Sequence, residues 1–409
     1  MLRRLALAAM AVSTLIGCGP READPEAVTP TEWKWVACGD IDCADFIVPL
    51  DRGTAFSEDL VLKTYRSISP VATSRHLPLI IHPGGPGSDV RAAVSRVRDV
   101  LAPIIDDFDV YALSTRGSVD GTPFDCGDSL ADLRVVDTET SAARRFAAGC
   151  LESSAPMIGN VGTRQSVEDL EHFRAAIGFD KVRFLGWSYG ATLGAAWAMT
   201  HPASIGSIVL DAPSDPRVPW VRVIQERYNV ASRVWRKRAL GMTSSGGMNE
   251  RERALAREYL MYEPTAVDEA RTLAALRLGE TPDGRNDGGI ETQIGVHCSD
   301  VTHAEARAAI AVGESTPTIG FGSLFDRICL QLPEPSAPLS KLVPDDAATR
   351  LNATVISATG DHVVPANVSR NLARNMLWRY VEVDIDRHLT VGFDAKATKT
   401  ATAFLATGD

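Results

Sequence analysis

Short apolar runs alternate with stretches of helical periodicity along most of the chain. The compact apolar runs are Leu77–Ile81, Phe108–Leu113, Val182–Leu185, Ile205–Leu210 and Ala353–Ala358. Such runs are typical of strands that are buried on both faces of a sheet. Ser166–Ile177 has helical spacing instead, and Gly178 stands where that helix should end. The alternation predicts an α/β fold, with a mostly parallel sheet flanked by helices.

Two regions depart from this alternation. Trp33–Leu50 and Leu60–Ser67 alternate apolar with polar residues around a turn-rich segment, which predicts an N-terminal hairpin. From Pro213 to Asp346 the pattern is mainly helical, with runs at Val221–Leu240, Glu250–Met261 and Val267–Leu278. We therefore predict a helical cap, residues 213–346, inserted after the sixth strand. The two parts of the core are then residues 33–212 and 347–409.

The N-terminus has the pattern of an export signal. Arg3 and Arg4 precede the apolar run Leu5–Ile16, which is too short to span a membrane as a mature helix. The tetrapeptide Leu15-Ile16-Gly17-Cys18 resembles the lipobox of bacterial lipoproteins. We expect residues 1–17 to be a signal peptide, Cys18 to carry lipid, and residues 18–32 to be a flexible tether. This predicts an exported protein, anchored by lipid to a membrane of the bacterial cell envelope; the alternative is an ordinary signal peptide with a chance cysteine.

Composition narrows the class of protein. The 409 residues are 45% hydrophobic, which excludes general disorder and allows a large core. The net charge of −10 and the pI near 5.4 argue against a nucleic-acid partner, which would need clustered lysine and arginine.

The cysteines indicate disulfides. Of the seven, Cys18 is assigned to the signal, which leaves an even number in an exported chain. Sequence order alone leaves the pairing open, but each favoured pair falls within one local segment: Cys38–Cys43, Cys126–Cys150 and Cys298–Cys329. Zinc is not expected, since neither C-x-x-C nor H-E-x-x-H occurs.

The candidate nucleophile lies in a G-x-S-x-G pattern at Gly186–Gly190. Ser188 stands between an apolar strand and a run of small residues that suits a closely packed helix. A serine on so sharp a turn is strained, and glycines on both sides leave room for the bend. The alternative is a structural turn with an idle serine.

A glycine-rich loop, His82–Ser88, directly follows an apolar strand. It is not followed by the lysine and the serine or threonine that a phosphate loop needs. Its glycines instead allow backbone N–H groups to approach a reacting oxygen. We expect one donor of an oxyanion hole from Gly85, or less favourably Gly84, and the other from Tyr189. A merely structural turn is the alternative.

A serine nucleophile needs a general base and an acid that orients the base. His388 follows the last predicted strand, and Asp361 ends the strand before it, so both stand at the edge where active sites of such sheets lie. Asp211 and Asp215 are rival acids. Arg116 either braces the loops around the site or is solvated.

Together these motifs resemble the exported tripeptidyl-aminopeptidase-like α/β-hydrolases, which are relatives of the proline iminopeptidases. The matching segments are Trp35–Cys43, Val48–Asp51, Pro83–Gly87, Gly186–Gly190 with Leu193-Gly194, Val209–Asp211 with Asp215-Pro216, Gly360-Asp361 and His388. The resemblance implies the α/β-hydrolase fold, a Ser188–Asp361–His388 triad and a serine exopeptidase that releases short N-terminal pieces from peptides. It requires no cofactor, and it also supports the three disulfides.

The chain departs from this family at two places. Ser114-Thr115-Arg116-Gly117 stands where the family has D-P-R-G, and the cap is shorter, with no cysteine near Trp235. An aminopeptidase also needs a cap carboxylate for the substrate ammonium. Glu226, Glu291 and Asp300 stay open for that role. The alternative functions are an esterase or amidase for small non-peptide substrates, and a catalytically silent binding lipoprotein. The oligomeric state is not predicted.

Overall fold

A nine-stranded sheet runs through the protein. The computed structural model describes residues 34–54, 56–72, 75–127, 139–239, 288–315, 322–344 and 351–408. The strands are β1 (Val36–Cys38), β2 (Ile41–Pro49), β3 (Asp59–Ser67), β4 (Leu77–His82), β5 (Phe108–Leu113), β6 (Val182–Trp187), β7 (Ile205–Asp211), β8 (Ala353–Ala358) and β9 (Arg379–Val383). Their order is β1-β2-β3-β5-β4-β6-β7-β8-β9. Every pair from β5 to β9 is parallel, and the pairs that join β1, β2, β3 and β5 are antiparallel.

Helices cover both faces of this sheet. In the described ranges they are α1 (Val90–Val100), α2 (Glu139–Ser153), α3 (Thr163–Ala176), α4 (Tyr189–Thr200), α5 (Trp220–Ala239), α6 (Gly288–Asp300), α7 (His303–Glu314), α8 (Gly322–Cys329), α9 (Ala366–Met376) and α10 (Ala395–Thr407). The predicted class, a mostly parallel sheet flanked by helices, is confirmed.

The central strands are buried on both faces, as their uninterrupted apolar runs predict. Leu79 and Ile81 belong to one core cluster, together with residues of α1 and α10. Phe184 packs against Trp197 of α4, with ring centroids 5.8 Å apart. Because neighbouring parallel strands all point the same way, the loops that follow them meet at one edge of the sheet.

The predicted hairpin differs from the structure in one respect. The segment expected as a single strand, Trp33–Leu50, is two antiparallel strands, β1 and β2. Gly39 separates them at φ +82°, a conformation that glycine adopts without steric cost. The strand before the predicted cap, β7, is therefore the seventh along the chain and not the sixth.

The irregular sequence pattern of residues 118–161 predicts a surface excursion held by Cys126 and Cys150. Within it the structure contains α2, whose Phe146 and Cys150 are fully buried. This helix packs against α8. The sequence pattern alone did not identify α2, because its apolar face meets a helix nearly two hundred residues further along the chain.

The region between β7 and β8, called here the cap region, is helical in its described part. It contains α5, α6, α7 and α8, and no strand is found among the residues described there. The prediction of Val221–Leu240 matches α5 closely. The predicted helices Glu250–Met261 and Val267–Leu278 lie outside the described residues, and the domain boundaries stay predictions.

All three predicted disulfides are present, namely Cys38–Cys43, Cys126–Cys150 and Cys298–Cys329. The last one joins α6 to α8 within the cap region. The predicted signal peptide 1–17, Cys18 and the tether 18–32 lie outside the described residues. Of the helices that are described, none has both the length and the apolar character needed to cross a membrane.

Arg116 is a buried brace and not a solvated side chain. Its guanidinium donates to both carboxylate oxygens of Asp169, at 2.6 and 2.9 Å. It also donates to the carbonyl groups of Pro49, Leu50 and Asn160. Arg116 therefore ties the loop after β5 to the end of β2, to the segment before α3 and to α3 itself.

We expect Arg116→Met to lower the free energy of unfolding by about 3 kcal/mol or more, because it leaves the buried Asp169 carboxylate short of a partner and removes a donor from three carbonyl groups. Urea unfolding of the disulfide-bonded protein measures this change. Arg75→Met, which breaks an exposed ion pair with Asp107, is the matched control and should change stability little. Equal stability of Arg116→Met and the wild type would contradict the assignment.

Candidate active site

Ser188 stands at the turn between β6 and α4. Its backbone has φ 54° and ψ −122°, a strained conformation for a residue with a side chain. The turn is held by the Ser188 N–H, which donates to the carbonyl of Asp211 at 2.9 Å. A Cβ atom on Gly190 would lie 2.3 Å from the carbonyl oxygen of His82, so only glycine fits there. The crowding explains the G-x-S-x-G spacing and presents Ser188 at the sheet edge.

The structure brings Ser188, His388 and Asp361 together in one hydrogen-bonded chain. His388 Nε2 lies 2.8 Å from Ser188 Oγ, and His388 Nδ1 lies 2.7 Å from Asp361 Oδ2. Asp361 is fully buried and His388 is 2% exposed. The carboxylate can only accept from Nδ1–H, which leaves Nε2 as the acceptor for the serine hydroxyl.

Asp361 is oriented by the backbone of its own loop. Its Oδ1 accepts hydrogen bonds from the N–H groups of Val363 and Val364, both at 2.9 Å. Because Oδ1 is occupied in this way, Oδ2 faces His388.

The rival acid Asp211 accepts hydrogen bonds from the loop that carries His388. Its carboxylate accepts from the N–H groups of Thr390 and Val391, both at 2.7 Å, and from the Thr390 hydroxyl at 2.8 Å. Burial raises the pKa of Asp211 to about 6. Asp211 therefore fixes the loop that carries His388.

Asp215, the other rival acid, is held by Arg217. The guanidinium of Arg217 donates to both of its carboxylate oxygens, at 3.0 and 2.9 Å. The carboxylate also accepts from the Arg217 N–H. Its hydrogen bonds therefore serve the turn after β7.

The glycine-rich loop lies directly against the Ser188 turn. A Cβ atom on Gly84 would stand 2.5 Å from the carbonyl oxygen of Trp187. The Gly84 N–H is already used, because it donates to His82 Nδ1 at 3.1 Å. Gly85 and Tyr189 both line the cavity that contains Ser188. Tyr189 is the first residue of α4, where the N–H groups have no partner within the helix.

His82 supports this loop, a role that the sequence did not reveal. Burial lowers the pKa of His82 to about 4, so the ring is neutral. With Nδ1 accepting from Gly84, the proton is on Nε2, which donates to Thr115 Oγ1 at 3.0 Å. His82 thus links the glycine-rich loop to the loop after β5. The position of His82 at the start of the glycine-rich loop is the sequence feature that could have indicated this role.

A cavity of about 280 Å³ lies between the sheet edge and the cap region. Ser188, Gly85 and Tyr189 form its floor, and residues of α5, α6 and α8 form its walls. Trp220, Phe325 and several valines make much of the wall apolar, while Asp300, Glu305 and Arg227 add charge.

One of the three carboxylates considered from sequence borders this cavity, namely Asp300. It accepts hydrogen bonds from the N–H of Thr163 at 2.8 Å and from the hydroxyl of Thr163 at 2.5 Å. Burial raises the pKa of Asp300 to about 6. Glu291 instead accepts from the Cys126 N–H, and Glu226 lines a different cleft.

A second histidine–aspartate pair forms part of the wall. His297 Nε2 lies 2.9 Å from Asp326 Oδ1, which also accepts from Trp220 Nε1 at 2.9 Å. The rings of His297 and Trp220 are 4.8 Å apart. His297 lies within the predicted cap, residues 213–346, but the sequence pattern gives it no role, because its partner lies on another helix.

Within the described ranges, no group of three or more histidine, cysteine, aspartate or glutamate side chains could hold a metal ion.

Comparison with known proteins agrees with the fold. Residues 78–241 match the family model described as alpha/beta hydrolase fold, which is the fold that the sheet and its helices form. The chain covers 97% of the proline iminopeptidase structure from Mycobacterium smegmatis with 88% of its own length, at 15% identity and a TM-score of 0.43.

Two curated relatives carry peptidase names. The serine protease Hip1 of Mycobacterium tuberculosis is 29% identical over 243 residues, which are 52% of this chain and 46% of the relative. The tripeptidyl aminopeptidase of Streptomyces lividans is 30% identical over 195 residues, 43% of this chain and 36% of the relative. The resemblance predicted from the motifs is confirmed. The chain spans less than half the length of either relative in these matches.

Proposed function

Because the chain has the α/β-hydrolase fold with Ser188, His388 and Asp361 in hydrogen-bond contact at its sheet edge, we propose that it is a serine peptidase. More narrowly, it is an exopeptidase that releases short N-terminal fragments from peptides through an acyl-enzyme. The observation that carries the proposal is the chain of two short hydrogen bonds from Asp361 through His388 to Ser188.

The mechanism follows from this geometry. His388 Nε2 takes the proton of Ser188 as Oγ attacks the peptide carbonyl carbon, and Asp361 stabilises the imidazolium. The N–H groups of Gly85 and Tyr189 receive the oxyanion. The tetrahedral intermediate collapses, the C–N bond breaks, and His388 gives its proton to the leaving amine. Water, deprotonated by His388, then hydrolyses the ester and restores the Ser188 hydroxyl.

The cavity supports a preference for the amino end of a peptide. It measures about 280 Å³ and lies between Ser188 and the described helices of the cap region, so it suits a short segment on the acyl side of the cleaved bond. Asp300 in its wall offers a carboxylate to the substrate ammonium, and charge-assisted hydrogen bonds of this kind are among the stronger ones. The peptidase names of the relatives support the same choice over an esterase or amidase.

We also propose that the protein is exported and carries lipid on Cys18. The tetrapeptide Leu15–Cys18 and the three disulfides, which are typical of oxidising compartments, support this.

Mass spectrometry of the protein purified from the cell that makes it checks the anchor. We expect the N-terminus to be Cys18 and its mass to include the acyl groups. Cys18→Ala should release the protein from the membrane fraction. Membrane association that survives this substitution would contradict the proposal.

We expect a fluorophosphonate probe to label the wild type, because the activated Ser188 Oγ attacks its phosphorus. Ser188→Ala should lose the label. Ser214→Ala is the matched control, because Ser214 lines the same cavity and lies outside the hydrogen-bonded chain, and it should keep the label. Absence of labelling in the wild type would favour a catalytically silent protein.

A mixed peptide pool incubated with the mature protein tests the substrate class. We expect mass spectrometry to find short N-terminal fragments released in sequence from free amino ends. Cleavage of simple acyl esters with every peptide left intact would establish the esterase alternative instead.

Asp300 should make cleavage depend on pH in a defined direction. Above its pKa of about 6 the carboxylate is charged and attracts the substrate ammonium; below that pH it is neutral. The ratio of kcat/KM for a peptide anilide with a free amino end to that for its acetylated form should therefore fall as the pH falls through about 6. Using the ratio cancels the titration of the general base.

Asp300→Asn should lower this ratio about tenfold or more at pH 7.5 and remove its dependence on pH, since a charged partner is replaced by a neutral one. Glu226→Gln, outside the cavity, is the matched control and should behave as the wild type. An unchanged ratio in Asp300→Asn would exclude Asp300 as the amino-end anchor.

A further inference from the structure

Two arginines of the cap helix α5 hydrogen-bond to the loop that carries Asp361. Arg227 Nε donates to the carbonyl of Val363, and Arg233 Nη2 donates to the carbonyl of Thr359 at 2.9 Å. The two carbonyl groups stand two residues after and two residues before Asp361. The helix that walls the cavity therefore contacts the acid loop on both sides of the acid.

The contact made by Arg227 leads directly to the carboxylate. The carbonyl of Val363 and the N–H of Val364 belong to the same peptide group, and that N–H donates to Asp361 Oδ1 at 2.9 Å. A guanidinium bound to the carbonyl polarises the peptide and makes its N–H a stronger donor. The effect continues through Asp361 Oδ2 to His388 and from there to Ser188.

The contact made by Arg233 leads to the backbone of Ile385 and not to the Asp361 carboxylate. The peptide group whose carbonyl it binds has the N–H of Gly360, which donates to the carbonyl of Ile385 at 3.0 Å. Arg233 is also exposed, whereas Arg227 is half-buried. The two arginines thus make the same kind of bond from the same helix, but only one of them bonds to a peptide that donates to the acid.

Arg227 also faces the substrate cavity. It lines the cavity together with Ser188, and its guanidinium carbon stands 4.8 Å from the centre of the Trp220 ring. The same cation therefore borders both the space for the substrate and the peptide group that supports the catalytic acid.

We propose that Arg227 is a positioning residue that couples the cap region to the catalytic acid through the Val363–Val364 peptide. It holds the acid loop in register with His388 and strengthens the donor that stabilises the Asp361 carboxylate. This inference rests on the proposed serine-hydrolase function. A substrate that displaces the Arg227 guanidinium from the Val363 carbonyl weakens the hydrogen bond from the Val364 N–H to Asp361. Substrate binding in the cavity is therefore coupled to the reactivity of Ser188.

The test compares Arg227→Gln and Arg227→Lys with Arg233→Gln as the matched control. The first measurement is the rate of fluorophosphonate labelling of Ser188 as a function of pH. Arg227→Gln should label about fivefold to tenfold more slowly at neutral pH, which corresponds to the loss of one hydrogen bond to a charged group. The acidic limb of its pH profile for labelling should move to higher pH, because removal of a positive charge favours the protonated imidazole. The labelling rate of Arg227→Lys should lie between the rates of Arg227→Gln and the wild type.

The second measurement does not depend on reactivity. The proton between His388 Nδ1 and Asp361 should give a low-field proton resonance in the full-length protein, identified by its loss in His388→Ala. Arg227→Gln should shift this resonance, and Arg233→Gln should leave it in place.

The outcomes separate this inference from the proposed function. A wild type that labels, with an Arg227→Gln variant that keeps the resonance and the pH profile, would overturn the role of Arg227 and leave the function intact. Equal changes in Arg227→Gln and Arg233→Gln would also overturn it, since they would indicate general loosening of the cap region. A wild type that neither labels nor cleaves peptides would overturn the function, while a resonance shifted only in the Arg227 variants would still support the contact. Should Arg227→Gln not fold, Arg227→Lys decides between these outcomes.

Discussion

The hydrogen bond between His388 and Ser188 is the constraint on which the site depends, because it joins residues 200 positions apart in the chain. Such a bond can form only if both loops end at the same edge of the sheet, within a fraction of an ångström of their places. The parallel strands β6, β7 and β8 fix the direction, and buried contacts fix the distance. Asp211 holds the loop of His388, and the crowded glycines hold the turn of Ser188.

A buried aspartate lies at the carboxyl end of each of the adjacent strands β7 and β8. The hydrogen-bond partners of the two aspartates give them different roles. Both oxygens of Asp211 accept hydrogen bonds from Thr390 or Val391, in the loop that carries His388. Asp361 has one oxygen on backbone N–H groups and the other on His388. One carboxylate thus secures the place of the histidine and the other determines its tautomer.

Local sequence was sufficient to predict most of the fold and the positions of the triad residues. The strands β4 to β8 follow from apolar runs, and Ser188 follows from a turn that only glycines permit. The features that were missed depend on partners far away in the chain. The face of α2 meets α8, and His82 acts through Thr115. Glu226, Glu291 and Asp300 looked alike as sequence, and only the cavity distinguished Asp300 from the other two.

The disulfide between Cys298 and Cys329 has a consequence for how the protein can diverge. The disulfide holds α6 beside α8, and the hydrogen bond between His297 and Asp326 joins the same two helices. Because this covalent bond holds α6 beside α8, an insertion or deletion in the connection between α7 and α8 need not disturb the part of the cavity wall that α6 and α8 form. We therefore expect homologous chains to differ in length between α7 and α8 more freely than between β6 and α4.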